Sequence, residues 1–273
     1  MIRTFDLTIC DRHAKPMKKN NPELGLLAYE TFFITEYISR YIRHNEIKNV
    51  EINGSRISQL IVCLYGDKNK AYQSSENTIT CSLNVKHSGV FILKGINRIE
   101  KILEYIEQSS SLFESTVPRL GLEINNSINL FRKSEYKNIW THKKKRIKGV
   151  GLAKLECELT PLNFFLSIIV ENKKSEIFRK KILETRPNPG FYHHLFNSIS
   201  LQENTLVVMD RIINKPIFTL TFDEVDKGEY GHFPYNENTS NTMRLDNLSC
   251  LLVEDLKLNP RNLLVQYFIR RNI

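Results

Sequence analysis

The stretch GVGLAKLECELTPLNFFLSIIVE, residues 149–171, decides the fold of the second half of the chain. Apolar and charged residues alternate up to Leu159, which is typical of a strand with one buried face. An almost continuous apolar run occupies residues 163–170, and the sequence Thr-Pro-Leu at 160–162 separates the two segments with a turn. The pattern predicts an antiparallel hairpin packed on a core. Together with similar segments further on, it predicts a β-rich, mostly antiparallel C-terminal half.

In the N-terminal half, some segments have apolar residues at helical spacing and others have the alternation of a strand. The sequence Asn21-Pro22-Glu23 offers a capping residue, a first-turn proline and an acid, and apolar residues at helical spacing follow to about His44. These features predict a helix over residues 22–44. The other predicted elements are strands at residues 1–10, 57–65, 77–86, 90–94 and 118–124 and a helix at about residues 99–106.

These elements follow the ferredoxin-like order βαββαβ with extra strands. Sheets of this kind bind RNA in some proteins and protein partners in others, so the fold by itself does not choose a function. We predict an α+β protein in which a ferredoxin-like domain covers residues 1–125 and a basic, β-rich domain covers residues 126–273, unless the chain folds as one continuous domain.

The overall composition is that of an ordinary globular protein. Hydrophobic residues make up 41% and charged residues 25% of the 273 residues, which excludes a disordered polyampholyte. No apolar run approaches the ~20 residues of a membrane span, and residues 1–10 lack the apolar core of a signal peptide. The five cysteines form no C-x-x-C pair, and no glycine-rich phosphate loop is present. We expect a cytoplasmic protein with reduced cysteines, no cofactor, no metal site and no membrane partner.

The net charge of +9 is concentrated in one segment. The 61 residues from Asn126 to Arg186 contain 15 Lys and Arg and 6 Glu, so this segment alone carries a net charge of +9. The remainder of the chain holds 24 bases and 24 acids and is neutral. A local excess of positive charge favours an anionic partner, which is either nucleic acid or an acidic protein.

The basic run WTHKKKRIK, residues 140–148, contains the only tryptophan of the chain. Lys and Arg neutralise phosphates and release counterions, and aromatic rings stack on bases for about 1–3 kcal/mol each. A solvated loop with the tryptophan packed in the core is the alternative explanation. The predicted nucleic-acid contacts are Tyr136, Trp140, His142, Lys143, Lys144, Lys145, Arg146 and Lys148, with Arg179, Lys180 and Lys181 as a second cluster.

A weaker pattern is that of a metal-dependent nuclease. Glu158 lies on the first strand of the predicted hairpin, and Glu171 and Lys173 lie at the end of the second. In PD-(D/E)xK nucleases such acids hold Mg²⁺ and the lysine assists the attacking water, although the leading Pro-Asp is absent here. Lys154, Glu156 and Glu158 share one face of a strand, so cross-strand ion pairs explain them as well. Magnesium is expected only if the nuclease hypothesis holds.

Two histidine positions are candidates for acid–base chemistry. His193 follows a Pro-Gly break, and His142 lies inside the basic run. His142, or either member of the His193–His194 pair, could be the general base of a metal-independent ribonuclease, next to a cation that stabilises the charged intermediate. An ordinary exposed or core histidine is the alternative explanation. His193 and His194 are adjacent and diverge on a strand or a helix, so they are poor ligands of a single metal ion.

These patterns leave three hypotheses. The first is a nucleic-acid-binding protein, directed at RNA, that contacts phosphates through residues 126–186. The second is a non-enzymatic protein-binding module of the immunity or antitoxin type that inhibits one partner, which the lack of a complete catalytic motif favours. The third is a Mg²⁺-dependent nuclease that uses Glu158, Glu171 and Lys173.

Overall fold

A computed structural model describes residues 4–9, 22–45, 50–64, 68–85, 89–90, 92–148, 150–173, 175–187, 192, 198–209, 216–222 and 243–244. Over these residues the chain is a mixed α+β protein with three helices and several sheets. The helices are α1 (Pro22–His44), α2 (Gly95–Thr116) and α3 (Leu120–Lys133). The strands are β1 (Thr4–Ile9), β2 (Glu51–Ile52), β3 (Ser55–Arg56), β4 (Gln59–Leu64), β5 (Lys70–Ser75), β6 (Thr78–Leu83), β7 (Asn138–Ile147), β8 (Gly151–Leu159), β9 (Phe164–Asn172), β10 (Ser175–Thr185), β11 (Ser198–Gln202), β12 (Thr205–Met209), β13 (Pro216–Thr221) and β14 (Met243–Arg244). None of the described helices is long and apolar enough to cross a membrane.

The chain divides into two compact units. Unit 1 contains Met1–Asn138 and Thr160–Leu162, and unit 2 contains Ile139–Leu159 and Asn163–Ile273. Asn125, where the sequence places the domain boundary, lies inside helix α3 of unit 1. The chain leaves unit 1 at Asn138, which is buried. The Asn138 side-chain amide donates to the carbonyl oxygen of Phe33 at 2.8 Å and accepts a hydrogen bond from Arg40.

Unit 1 is built on a four-stranded sheet in the order β1-β4-β6-β5. β1 pairs with β4, and β4 with β6, in parallel, while β5 pairs with β6 antiparallel. The register places Phe5, Leu60 and Ile79 in one row, and all three are buried, so this face of the sheet forms the core. Helix α2 lies over the same face, because the ring of Phe113 meets that of Phe5 edge-on with centroids 6.2 Å apart.

The helix predicted over residues 22–44 is confirmed as α1, but the ferredoxin-like order is not confirmed. Leu120–Ile124, which the sequence analysis places in the last strand of that order, begins helix α3, so α2 is followed by a second helix. Leu120, Ile124 and Ile128 are all buried at a spacing of four residues, which is a helical period that a seven-residue window does not reveal. The described residues between 89 and 94 form turns and irregular chain instead of the predicted strand.

Helices α2 and α3 cross at close range. Arg132 of α3 donates hydrogen bonds to both Glu100 and Glu107 of α2. At Gly121 the two backbones nearly touch, because a Cβ atom at this position would lie 2.1 Å from the carbonyl oxygen of Ser110. Protein interiors have no room for such an overlap, so the crossing requires glycine at this position.

Unit 2 contains a five-stranded sheet in the order β14-β10-β9-β8-β7 and a three-stranded antiparallel sheet of β11, β12 and β13. The hairpin predicted at residues 149–171 is confirmed as β8 and β9, which run antiparallel from Leu159 opposite Phe164 to Leu152 opposite Glu171. The side chains of Leu155 and its partner Ile168 are fully buried on one face. The predicted β-rich, mostly antiparallel C-terminal half is therefore confirmed, with β10 and β14 as a parallel pair.

Gly121→Ala should destabilise the protein, although alanine is the better helix former by about 0.5–1 kcal/mol. The added Cβ atom would overlap the Ser110 carbonyl oxygen, so the helices must move apart. We expect the free energy of unfolding to fall by about 1–3 kcal/mol, measured by urea denaturation. Asn129→Ala, at an exposed position of α3, is the matched control and should leave the stability equal or higher. Stabilisation by Gly121→Ala would contradict the close crossing.

Candidate nucleic-acid interface

Strand β7 carries the basic run and lies at the edge of the five-stranded sheet. Its end residues Asn138 and Ile147 are buried, with exposures of 1% and 3%, while Thr141–Arg146 between them are all exposed. Pairing with the neighbouring strand β8 holds the segment extended. The basic run is therefore a strand, and not the solvated loop of the alternative explanation. The sequence analysis did not single out the two buried end residues, because the run between them has no apolar alternation.

Five cations of this segment have no ionic partner in the described part of the chain. Lys143, Lys144, Lys145 and Arg146 of β7 and Lys148 directly after it are exposed, and no carboxylate described in the structure lies within salt-bridge distance of them. We call these five residues the basic edge. All five belong to the predicted nucleic-acid contacts, and the structure brings them together along one strand.

Some cations in other parts of the fold are neutralised by acids. In unit 1, Arg98 is buried and lies 3.0 Å from the carboxylate of Glu30. In unit 2, Lys154 of β8 pairs with Glu171 of β9 at 2.5 Å. The basic edge differs from these sites because its positive charge is not compensated within the described residues.

The cations of the basic edge repel one another. Alternate residues of a strand lie about 6.6 Å apart on the same face, which is within the Debye length of about 8 Å at physiological ionic strength. The strand holds Lys143 to Arg146, four consecutive cations, within about 10 Å. A row of anionic groups that neutralises them would remove this repulsion, so the chemistry that the arrangement favours is the binding of a polyanion.

The second predicted cluster does not form a free basic surface. Arg179 of β10 donates to Glu156 of β8 at 2.7 Å and to Glu176 at 3.0 Å. These hydrogen bonds, first that with Glu176 and then that with Glu156, raise the pKa of the guanidinium. A guanidinium that is shared by two carboxylates offers little net charge to a phosphate.

Lys180 and Lys181 point to opposite faces of the sheet, because they are adjacent on strand β10. The ammonium of Lys181 lies 3.7 Å from the ring centroid of Phe165. Lys180 lies 5.8 Å from the ring centroid of Phe218, and burial lowers the pKa of its ammonium. Each of the three residues is thus engaged by a carboxylate or an aromatic ring within the fold, so they do not form a free phosphate-binding cluster.

Tyr136 belongs to unit 1 and is used within it. Its hydroxyl donates to Glu100 at 2.5 Å, and its ring packs edge-on against Phe131 with centroids 5.6 Å apart. The hydrogen bond with Glu100 raises the pKa of the Tyr136 phenol. The Tyr136 ring and hydroxyl are thus both engaged within unit 1, by Phe131 and Glu100.

Trp140 is partly buried in unit 2. Its indole lies 6.1 Å from the ring of Phe164, and Phe164 in turn stacks on Tyr192 with parallel rings 3.8 Å apart. Phe164 and Tyr192 are both fully buried. Trp140 is thus the outer member of an aromatic cluster, and the packed alternative describes it better than a base-stacking role.

The residues of the nuclease hypothesis lie apart. Glu158 stands opposite Phe165, whereas Glu171 stands opposite Leu152 at the other end of the hairpin. The pair that contains Glu158 and the pair that contains Glu171 are six residue positions of β8 apart, which is about 20 Å along the strand. Two carboxylates at this separation cannot share one Mg²⁺ ion, whose oxygen ligands lie at about 2.0–2.1 Å.

Glu171 has a structural partner in Lys154, which donates to its carboxylate at 2.5 Å. Lys173 is exposed in the turn after β9. In the described ranges of the chain, no group of three or more His, Cys, Asp or Glu is placed to hold a metal ion. The cross-strand ion pairs that the sequence offered as an alternative account for Lys154 and Glu171.

The histidine candidates give no acid–base pair that the structure describes. His142 is exposed on β7 within the basic run, and His193 lies outside the described residues. Cys81 and Cys157 are buried, and burial raises the pKa of Cys81 to about 12. A buried thiol of this kind is inert as a nucleophile.

No protein-family model, no curated protein and no solved structure matches the chain.

Glu100→Gln should destabilise the protein at neutral pH and much less in acid. The hydrogen bond from Arg132, followed by that from Tyr136, lowers the pKa of Glu100 below its ordinary value of about 4.3. A carboxylate with a lowered folded-state pKa contributes stability above its unfolded pKa, and this stability is lost as the pH falls through the folded pKa. The difference in unfolding free energy between the two proteins should hold from about pH 8 to 5 and shrink below about pH 4, measured by urea denaturation.

Tyr136→Phe is the graded comparison for this pH series. It removes the phenol hydroxyl that donates to Glu100 and keeps the ring against Phe131, so its effect should have the same direction and be smaller. A stability difference for Glu100→Gln that is equal at about pH 7 and about pH 3.5 would show that the contact contributes no ionic stabilisation.

Proposed function

We propose that the protein binds nucleic acid by contacting its phosphates through the basic edge. The observation that carries this proposal is a row of exposed cations on one strand that have no carboxylate partner in the described chain, whereas Arg98 and Lys154 are paired with acids. Exposed Lys and Arg side chains bind phosphates and release the counterions condensed on the polyanion. The proposal requires no catalytic group and no metal ion.

The energetic source of such binding is mainly the release of counterions. Each phosphate that is neutralised contributes about 0.7 to the slope of log K against log salt for a single strand and about 0.9 for a duplex. The five cations of the basic edge therefore set an upper slope of about 3.5–4.5 for this surface alone. Binding through it should be tight at low salt and fall steeply as salt is added.

Replacement of Lys143, Lys144 and Lys145 together by Gln should weaken binding of a labelled RNA oligonucleotide by about tenfold or more at physiological salt. The three lysines are exposed and have no carboxylate partner among the described residues, so their removal costs phosphate contacts and leaves the described ion pairs intact. The slope of log K against log salt should decrease by about 2–3, because each lost phosphate contact lowers it by about 0.7–0.9. Fluorescence anisotropy over a salt series measures both quantities.

The matched control removes the same charge from unit 1. Lys68, Lys94 and Lys133 are exposed and lie outside the basic edge, and their joint replacement by Gln should change the affinity by less than about twofold and leave the slope unchanged. Equal losses in the two variants would mean that only net charge matters and that β7 is not the contact. Unchanged binding in the β7 variant would reject the proposal outright.

Joint replacement of Arg179 and Lys181 by Gln separates the two clusters predicted from the sequence. Arg179 is already neutralised by Glu156 and Glu176. The double replacement should therefore change the slope of log K against log salt by less than about 0.7, which is the contribution of one phosphate contact to a single strand. A loss of affinity as large as that of the triple lysine variant would show that Arg179 and Lys181 also contact the nucleic acid.

An acidic protein partner of the immunity or antitoxin type would use the same cations, and the purified protein distinguishes it. Protein prepared at low salt should carry nucleic acid, visible in its ultraviolet absorbance. A stoichiometric protein partner without nucleic-acid absorbance would favour the protein-binding module. A third outcome is that the triple lysine variant binds normally but self-associates, which would assign the basic edge to protection of an open strand.

A further inference from the structure

The basic edge consists of four lysines and one arginine, so it presents charge and no aromatic ring of its own. Sequence-specific recognition of single strands depends on rings that stack on bases and on hydrogen bonds to the base edges. Two aromatic residues that precede the basic edge in the sequence are engaged inside the fold, since Tyr136 donates to Glu100 and Trp140 packs on Phe164. His142 is an exposed ring on β7 beside the basic edge. The surface is therefore dominated by charge and not by stacking rings.

The basic edge is also poorly placed to enter the major groove of a duplex. A two-stranded ribbon can enter that groove, and the ribbon here would consist of β7 and its neighbour β8. Strand β8 carries Glu156 and Glu158, and Glu158 is exposed. Carboxylates on the second strand of the ribbon would face the phosphates that line the groove. Contact along the outside of the backbone avoids this repulsion.

We infer that the basic edge binds the phosphodiester backbone without reading bases, so that duplexes and single strands of any sequence are its ligands. This inference rests on the proposed function and adds the class of ligand. Four of the five residues are lysines, which bind phosphate as point charges, whereas bidentate recognition of a base requires the planar fork of arginine. Arg146 is the one residue of the basic edge with that fork.

A site that binds only the backbone and a site that stacks bases differ in their relative affinity for duplexes and single strands. A duplex carries one charge per about 1.7 Å of its axis, which is twice the charge density of one of its strands. A surface that senses only charge should bind a duplex at least as tightly as a single strand. A stacking site would prefer the single strand, because duplex bases are already stacked on one another.

The test uses the full-length wild-type protein and a panel of labelled oligonucleotides of about 20 nucleotides, measured by fluorescence anisotropy at one salt concentration. The panel holds two duplexes of different base composition, an oligo-dT strand and an oligo-dA strand, and unlabelled inorganic polyphosphate serves as a competitor that has no bases. The expected result is that the duplexes bind at least as tightly as the strands. We expect sequence to change the dissociation constant by less than about fivefold, because one base-specific contact is worth at least that factor. Polyphosphate should displace every ligand.

Trp140 provides a second measurement in the same samples, because it is the only tryptophan of the chain. A base stacked on the indole quenches its emission, so saturating oligo-dT should leave the emission unchanged. Quenching together with a preference for single strands, or a sequence effect above about fivefold, would overturn the inference while leaving the proposed function intact. Failure of every oligonucleotide to bind would reject the proposed function itself.

Discussion

The antiparallel register of β8 against β9 determines where each charged group of the five-stranded sheet lies. With Leu159 opposite Phe164, every second side chain of both strands enters the core, and the alternate side chains lie on the other face. The register of β9 with β10 continues the same division. A shift of one residue would exchange the two faces and bury charged side chains, so the fold tolerates no slippage here.

This register explains why the positive charge of the segment is exposed at the sheet edge and not on its face. The polar face of β8, β9 and β10 carries Lys154, Arg179 and Lys181 together with Glu156, Glu158, Glu171, Glu176 and Glu184. On that face acids outnumber bases, and the cations there lie beside carboxylates. The excess that the composition records as +9 for residues 126–186 is therefore carried largely by β7 and the turns. A net charge acquires a functional meaning only after the neutralised pairs have been removed from the count.

Local patterns predicted α1 and the β8–β9 hairpin because each element contains its own signal, a capped amphipathic period in one and apolar alternation with a turn in the other. Strands β7 and β10 were not predictable in this way, because their exposed middle portions are rows of charged residues whose extended form comes from pairing with a neighbour. The basic edge itself could be recognised in the sequence as a run of basic residues. Which cations are neutralised was not visible, since the contacts from Arg179 to Glu156 and from Lys154 to Glu171 join residues from different strands.

An open strand edge needs protection against pairing with another strand, and lysine on the edge is one of the means that proteins use. Four consecutive cations exceed what this protection requires, because a single charge that faces an incoming strand already opposes pairing. A second strand would have to desolvate each cation, whereas a phosphate backbone supplies an anion for it and leaves it in water. Cations that oppose the pairing of a further strand with β7 are therefore compatible with the polyanion that we propose. Protection alone does not account for a row of this length, and the surplus of charge is what supports a role in binding.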